Sequence, residues 1–153
     1  MRILLVDESS DDLRTVRETL IRSGGASCRI ETSPDLAGVF AILRRREFHV
    51  LLLDLSTDHG IARLRALRLG VPSLPIVGMW RDSSSGVAPE SETGSESGGP
   101  ELRFLEEGAE DVVAKDATGA EVLRVLTRAI ARRRAPERAT VPDPPDDDAR
   151  SVW

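Results

Sequence analysis

Val50-Leu51-Leu52-Leu53-Asp54 is the most apolar strand-like run of the chain, and a carboxylate closes it. A short, unbroken apolar run reads as a strand covered on both faces, which places it at the centre of a parallel sheet. Two further runs have the same form. Ile3-Leu4-Leu5-Val6 leads into Asp7-Glu8, and Asp111-Val112-Val113-Ala114 leads into Lys115, the one lysine among 21 basic residues. Lysine presents a compact ammonium on a flexible stem where arginine presents a wide fork, so a lone lysine at a strand end suits a tight site.

Helical patterns separate these runs. Ser9 and Asp12 read as an N-cap pair ahead of Leu13, Val16, Leu20 and Ile21 at helical spacing, and Gly24-Gly25 stops that helix. Cys28, Ile30 and Thr32 alternate with polar residues, as in an edge strand. Ser33-Pro34 opens a second helix carrying Leu36, Val39, Phe40 and Leu43 on one face. Ile61, Leu64 and Leu67 line a third, and Leu74 to Met79 form a fourth strand. Leu102 and Leu105 belong to a short helix ended by Gly108, and Thr118 with Glu121 caps a last helix carrying Val122, Val125, Leu126, Ala129 and Ile130 inward. Five β–α units with short connections give an α/β, doubly wound, five-stranded parallel sheet. Residues 82–100 turn to Ser, Gly, Glu and Pro and read as a flexible loop inserted in one domain spanning 1–134; residues 135–153 read as a disordered acidic, proline-bearing tail.

At 153 residues the chain is one domain long, with 40% hydrophobic and 31% charged residues. The core must come from Leu, Val, Ile and Ala, since aromatics make up 3% and tyrosine is absent. A net charge of −5 argues against direct nucleic-acid binding. A single cysteine, Cys28, excludes an intrachain disulfide and fits a reducing compartment, and no run suits a signal peptide or a membrane span, so the expected location is cytoplasmic. Arg44-Arg45-Arg46 and Arg132-Arg133-Arg134 sit at helix C-termini, where the helix dipole favours them. His49 and His59 have no partner at metal-ligand spacing.

In a sheet ordered 2-1-3-4-5, strands one and three are neighbours. Asp7, Glu8 and Asp54 then converge on one crevice at the carboxyl ends of the strands, where such folds bind ligands. Asp7 alone reads as a turn or a helix cap, and Asp54 after a Leu-rich strand does so less readily; joint placement with Lys115 is the signal. Clustered carboxylates resist joint ionisation, and a hard divalent cation such as Mg²⁺ relieves the repulsion. Asp54 is then suited to attack phosphorus as a carboxylate nucleophile, with Lys115 and the metal sharing charge on the transferred oxygens.

These residues resemble a response-regulator receiver domain of two-component signalling, with its flavodoxin-like fold, over roughly residues 1–134. The matching stretches are Ile3-Leu4-Leu5-Val6-Asp7-Glu8-Ser9, Val50-Leu51-Leu52-Leu53-Asp54-Leu55-Ser56, Pro75-Ile76-Val77 and Gly108-Ala109-Glu110-Asp111-Val112-Val113-Ala114-Lys115. The resemblance implies that Asp54 is the phosphoacceptor and Lys115 the phosphate-contacting lysine. It implies that Asp7, Glu8 and Asp54, with the backbone carbonyl of Ser56, hold Mg²⁺. It also implies a histidine kinase or phosphotransfer protein as phosphoryl donor and a downstream protein target; homodimerisation is left open. The domain is then a stand-alone signalling acceptor rather than an enzyme, docking through helix four, strand five and helix five.

Several positions depart from the family. Trp80 ends strand four where the family has Ser or Thr, and Val112 replaces its aromatic switch residue. Gly60 lies six residues beyond Asp54, so the loop beside the acceptor is short. Asp116 replaces the proline after the lysine, and Glu8 stands where Asp is common. These departures favour the alternative of a phosphorylation-independent pseudo-receiver acting as an interaction module. A haloacid-dehalogenase-like phosphatase is disfavoured by Ser9, which occupies the place of its second acid, and a mononucleotide binder by the acidic residues after strand one.

Overall fold

The computed structural model describes residues 1–81 and 100–134. Strands β1 (Arg2–Val6), β2 (Arg29–Ser33), β3 (Val50–Asp54), β4 (Ile76–Trp80) and β5 (Asp111–Ala114) alternate with helices α1 (Ser10–Gly24), α2 (Leu36–Leu43), α3 (Gly60–Gly70), α4 (Pro100–Glu106) and α5 (Gly119–Arg134). All strand pairs are parallel, in the order β2-β1-β3-β4-β5. The expected inserted loop and acidic tail fall outside the described residues, except that Pro100 opens α4. No helix among the described residues is long and apolar enough to cross a membrane.

Strand alternation divides the core into two layers. On one face Ile3, Leu5, Val50, Leu52, Val77, Met79 and Val113 pack against Val16 and Leu20 of α1 and Val122, Leu126 and Ala129 of α5. On the other, Leu4, Val6, Leu51, Leu53 and Ile76 pack against Val39 of α2, Leu64 and Leu67 of α3 and Phe104 of α4. Every residue of β3 is buried, as its composition requires. Cys28 packs against the first layer.

Helix ends follow local chemistry. The Ser9 side chain accepts from the Asp12 N–H to cap α1, and Gly25 ends that helix at φ 55°, a conformation that favours glycine. Thr118 and Glu121 form the expected capping box at α5. The C-terminal arginines of α5 do more than face a helix dipole: Arg133 pairs with Glu110, and Arg132 with Asp111.

Two expectations need correction. Helix α2 starts after Pro34, because Asp35 accepts from the Gly38 N–H and caps it. Strand β4 begins at Ile76 and runs through Trp80 rather than from Leu74 to Met79. In α4, Phe104 is the residue that enters the core. Leu102 and Leu105, one turn apart on another face, are 46% and 42% exposed.

Gly60 brings α3 close to the end of β3. A Cβ at this position would lie 2.8 Å from Leu55 Cα and about as close to the Leu55 carbonyl, both unyielding backbone atoms. Gly→Ala in a helix normally stabilises by about 1 kcal/mol. Here overpacking reverses the sign. Gly60→Ala is expected to destabilise the fold by about 1–3 kcal/mol, read as a lower midpoint in urea unfolding.

Candidate functional site

The carboxyl ends of β1, β3 and β5 meet at one edge of the sheet. Asp7, one residue beyond β1, is 1% exposed, and Asp54, the last residue of β3, is 2% exposed. Lys115, one residue beyond β5, has a side chain only 6% exposed. Its Nζ donates to Asp7 Oδ2 at 2.7 Å and to Asp12 Oδ2 at 2.8 Å, and ion-pairs with Asp54 Oδ1 at 3.1 Å. The Ser9 N–H donates to Asp7 Oδ1 and the Ser56 N–H to Asp54 Oδ1, both at 2.9 Å, so each carboxylate is fixed by the backbone two residues on. Both of these contacts to Asp54 fall on Oδ1.

The structure thus brings Asp7, Asp54 and Lys115 together and adds Asp12. Asp12 is the third residue of α1, where an acid suits the positive helix end. Its other oxygen, Oδ1, accepts from Arg81 at 3.1 Å. The sequence shows Asp12 as a cap partner, but its position in the first helical turn, above the end of β1, is the signal for its second role. Glu8 goes elsewhere. It lies in the bend two residues beyond β1, and its carboxylate pairs with Arg63 of α3. Ser56 is exposed in the loop after Asp54. His59 occupies the N-cap position of α3 without a side-chain capping bond, and His49 accepts from the Arg2 N–H.

Burial holds the Asp7 carboxyl above its usual range, against the pull of Lys115 and the Ser9 N–H, and the nearby charge of Asp54 adds to the rise. The Lys115 hydrogen bond holds Asp12 below its usual range, with help from Arg81. Burial alone would lower the Lys115 pKa, but the bonds to Asp12, Asp7 and Asp54 outweigh it and hold the ammonium above its ordinary value. Three carboxylates therefore share one ammonium, leaving an excess of negative charge in a mostly buried pocket. Such hard oxygen donors with unmatched charge fit Mg²⁺ chemically. No group of three or more acidic, histidine or cysteine side chains among the described residues is arranged as a ready metal cluster. Protein cations hold the acids instead: Lys115 holds three, and Arg63 holds Glu8.

Trp80 ends β4 beside this pocket, and its carbonyl accepts from the Lys115 N–H at 2.8 Å. Its indole packs with Val112 against the second core layer. Leu55 lies over Gly78, where a Cβ would meet Leu55 Cδ1 at 2.3 Å. A groove of about 410 Å³ lined by Arg2, His49, Pro75 and Arg133 lies at the opposite edge of the sheet, by the strand amino ends, away from these acids.

Two outcomes follow for stability. Lys115→Met leaves Asp7, Asp12 and Asp54 without their shared ammonium and is expected to cost about 3–5 kcal/mol at neutral pH in urea unfolding. That loss shrinks on acidification as the carboxylates take up protons. For Asp7 the folded pKa is raised, so its favourable contribution exists at low pH and is lost as pH rises through that value. Asp7→Asn is therefore expected to raise the urea midpoint at neutral pH, with the gain fading as the solution is acidified through the Asp7 pKa.

The sequence matches no protein-family profile and no curated protein. Solved structures are similar in fold. NtrX from Brucella abortus in complex with ADP superposes with a TM-score of 0.67 at 22% identity, over 86% of this chain and 26% of that one. This chain therefore spans about a quarter of that NtrX chain. The receiver domain of NtrX from the same organism gives 0.65 at 20% identity, over 84% and 98% of the two chains. The N-terminal signal receiver domain of a two-component system response regulator from Bacteroides fragilis gives 0.64 at 23%, over 84% and 95%. With its all-parallel sheet in the order 2-1-3-4-5, the chain has the fold of a response-regulator receiver domain.

Proposed function

We propose that this chain accepts a phosphoryl group on Asp54 from a histidine kinase or phosphotransfer protein and signals through protein contacts. The observation that carries this reading is the pinning of Asp54. Its Oδ1 is held by the Ser56 N–H and the Lys115 ammonium, and no donor among the described residues holds Oδ2. A carboxylate fixed by one oxygen presents the other to an incoming phosphorus. Asp54 Oδ2 forms the new O–P bond as the N–P bond of a donor phosphohistidine breaks, and the departing imidazole nitrogen keeps the electron pair and takes up a proton. Lys115, already an ammonium, moves its charge onto the transferred oxygens, while Asp12 and Asp7 keep it aimed. When bound, Mg²⁺ would supply further charge neutralisation; Asp7, Asp54 and the Ser56 carbonyl are the groups to hold it, with Glu8 once Arg63 releases it.

Output is proposed to leave through the side of the sheet formed by α4, β5 and α5. Leu102 and Leu105 stand exposed there on α4, in keeping with a docking surface. A partner identified by that face rests on fold analogy.

A second reading, a phosphorylation-independent interaction module, is favoured by one observation. Trp80 and Val112 both pack against the second core layer, at the positions where the family carries a hydroxyl and a mobile aromatic. Incubation with acetyl phosphate and Mg²⁺ followed by intact mass spectrometry separates the readings. The expected result is a gain of one phosphoryl group by the unmodified chain and none by Asp54→Asn. No gain in either leaves the interaction module as the function.

A further inference from the structure

Resting on the receiver reading, we propose that Arg63 is a built-in competitor of the divalent cation: its guanidinium occupies Glu8 and must leave before a metal ion can use that carboxylate. Glu8 follows Asp7 directly, so once released from Arg63 it can enlarge the donor set beyond Asp7 and Asp54, whereas Asp12 is committed to Lys115 and Arg81. In the structure Glu8 is committed to Arg63. The pair is not a loose surface contact on the arginine side, where the side chain is 13% exposed.

Arg63 reaches Glu8 because the β3–α3 connection is short. Gly60 packs directly on the Leu55 backbone, which sets the first turn of α3 beside the strand ends. The Arg63 N–H donating to the His59 carbonyl at 3.0 Å fixes that turn. A longer loop would place this residue elsewhere, so the shortened loop and the guanidinium on Glu8 are one feature.

The pair is also incompletely satisfied. Arg63 Nη1 is buried with no hydrogen-bond partner among the described residues, so one edge of the guanidinium is desolvated without return. A fully bonded structural arginine would resist release. This one gives up a single carboxylate, and Glu8, 49% exposed, can turn without disrupting the core. The same face of the sheet carries Trp80 and Val112. Metal entry at Glu8 therefore frees a cation on α3, which packs on the sheet face that carries the residues replacing the family's switch.

The test is Mg²⁺ titration of the full chain followed by backbone amide shifts of Asp7, Glu8, Asp54 and Ser56, with no phosphoryl donor present. Arg63→Met is expected to bind Mg²⁺ about five- to tenfold more tightly than the unmodified chain. In a Glu8→Gln background the same substitution should change nothing. In the unmodified chain, the Arg63 Nε–H signal should shift along the same isotherm as the Glu8 amide, a readout that requires no variant to fold. Equal affinities for the unmodified chain and Arg63→Met, or a stationary Nε–H signal during binding, would overturn the competition while leaving the metal site intact. Absence of saturable shifts in both chains would overturn the metal site and the competition together.

Discussion

One ammonium shared by three carboxylates ties the functional edge of this molecule together. Lys115 follows β5, Asp54 ends β3, Asp7 follows β1 and Asp12 lies in the first turn of α1, so a single side chain ties β5 to β3 and to the β1–α1 unit. Charges of one sign at that spacing are tolerated in a buried place only because Lys115 is held charged there. The cost is visible in Asp7, whose carboxyl is driven upward by burial and by Asp54. A pocket of this kind is electrostatically incomplete, which makes it receptive to a further cation or to a group that redistributes its protons and charges.

The second constraint is steric. Gly60 against the Leu55 backbone, and the Leu55 side chain over Gly78, pack α3, the β3 end and β4 closely together. They leave little slack beside Asp54. The arrangement exchanges a spacious loop for a rigid shoulder and decides which α3 residue can face the strand ends. Electrostatics on one face and packing on the other thus meet at the same few residues.

Much of this was legible in the residues. Unbroken apolar runs at Ile3–Val6 and Val50–Leu53 specify doubly covered strands, and the alternation with helices leaves few topologies open. The convergence of Asp7, Asp54 and Lys115 follows from that topology alone. Asp12 was hidden because a helix-capping role already accounted for it. Adjacency in sequence puts Glu8 beside Asp7, whereas in the structure the bend after β1 gives its carboxylate to Arg63. The pairing of Glu8 with Arg63 depends on the exact reach of a short loop, a distance that no local pattern encodes.

Trp80 carries one last consequence. The chain contains no tyrosine and only two tryptophans, Trp80 and Trp153. The Trp80 main-chain carbonyl is bonded to the Lys115 N–H, and its indole packs against the second core layer. Once Trp153 is replaced by phenylalanine, ultraviolet emission originates from one fluorophore at the strand tip, so the protein carries its own optical reporter of events around Lys115.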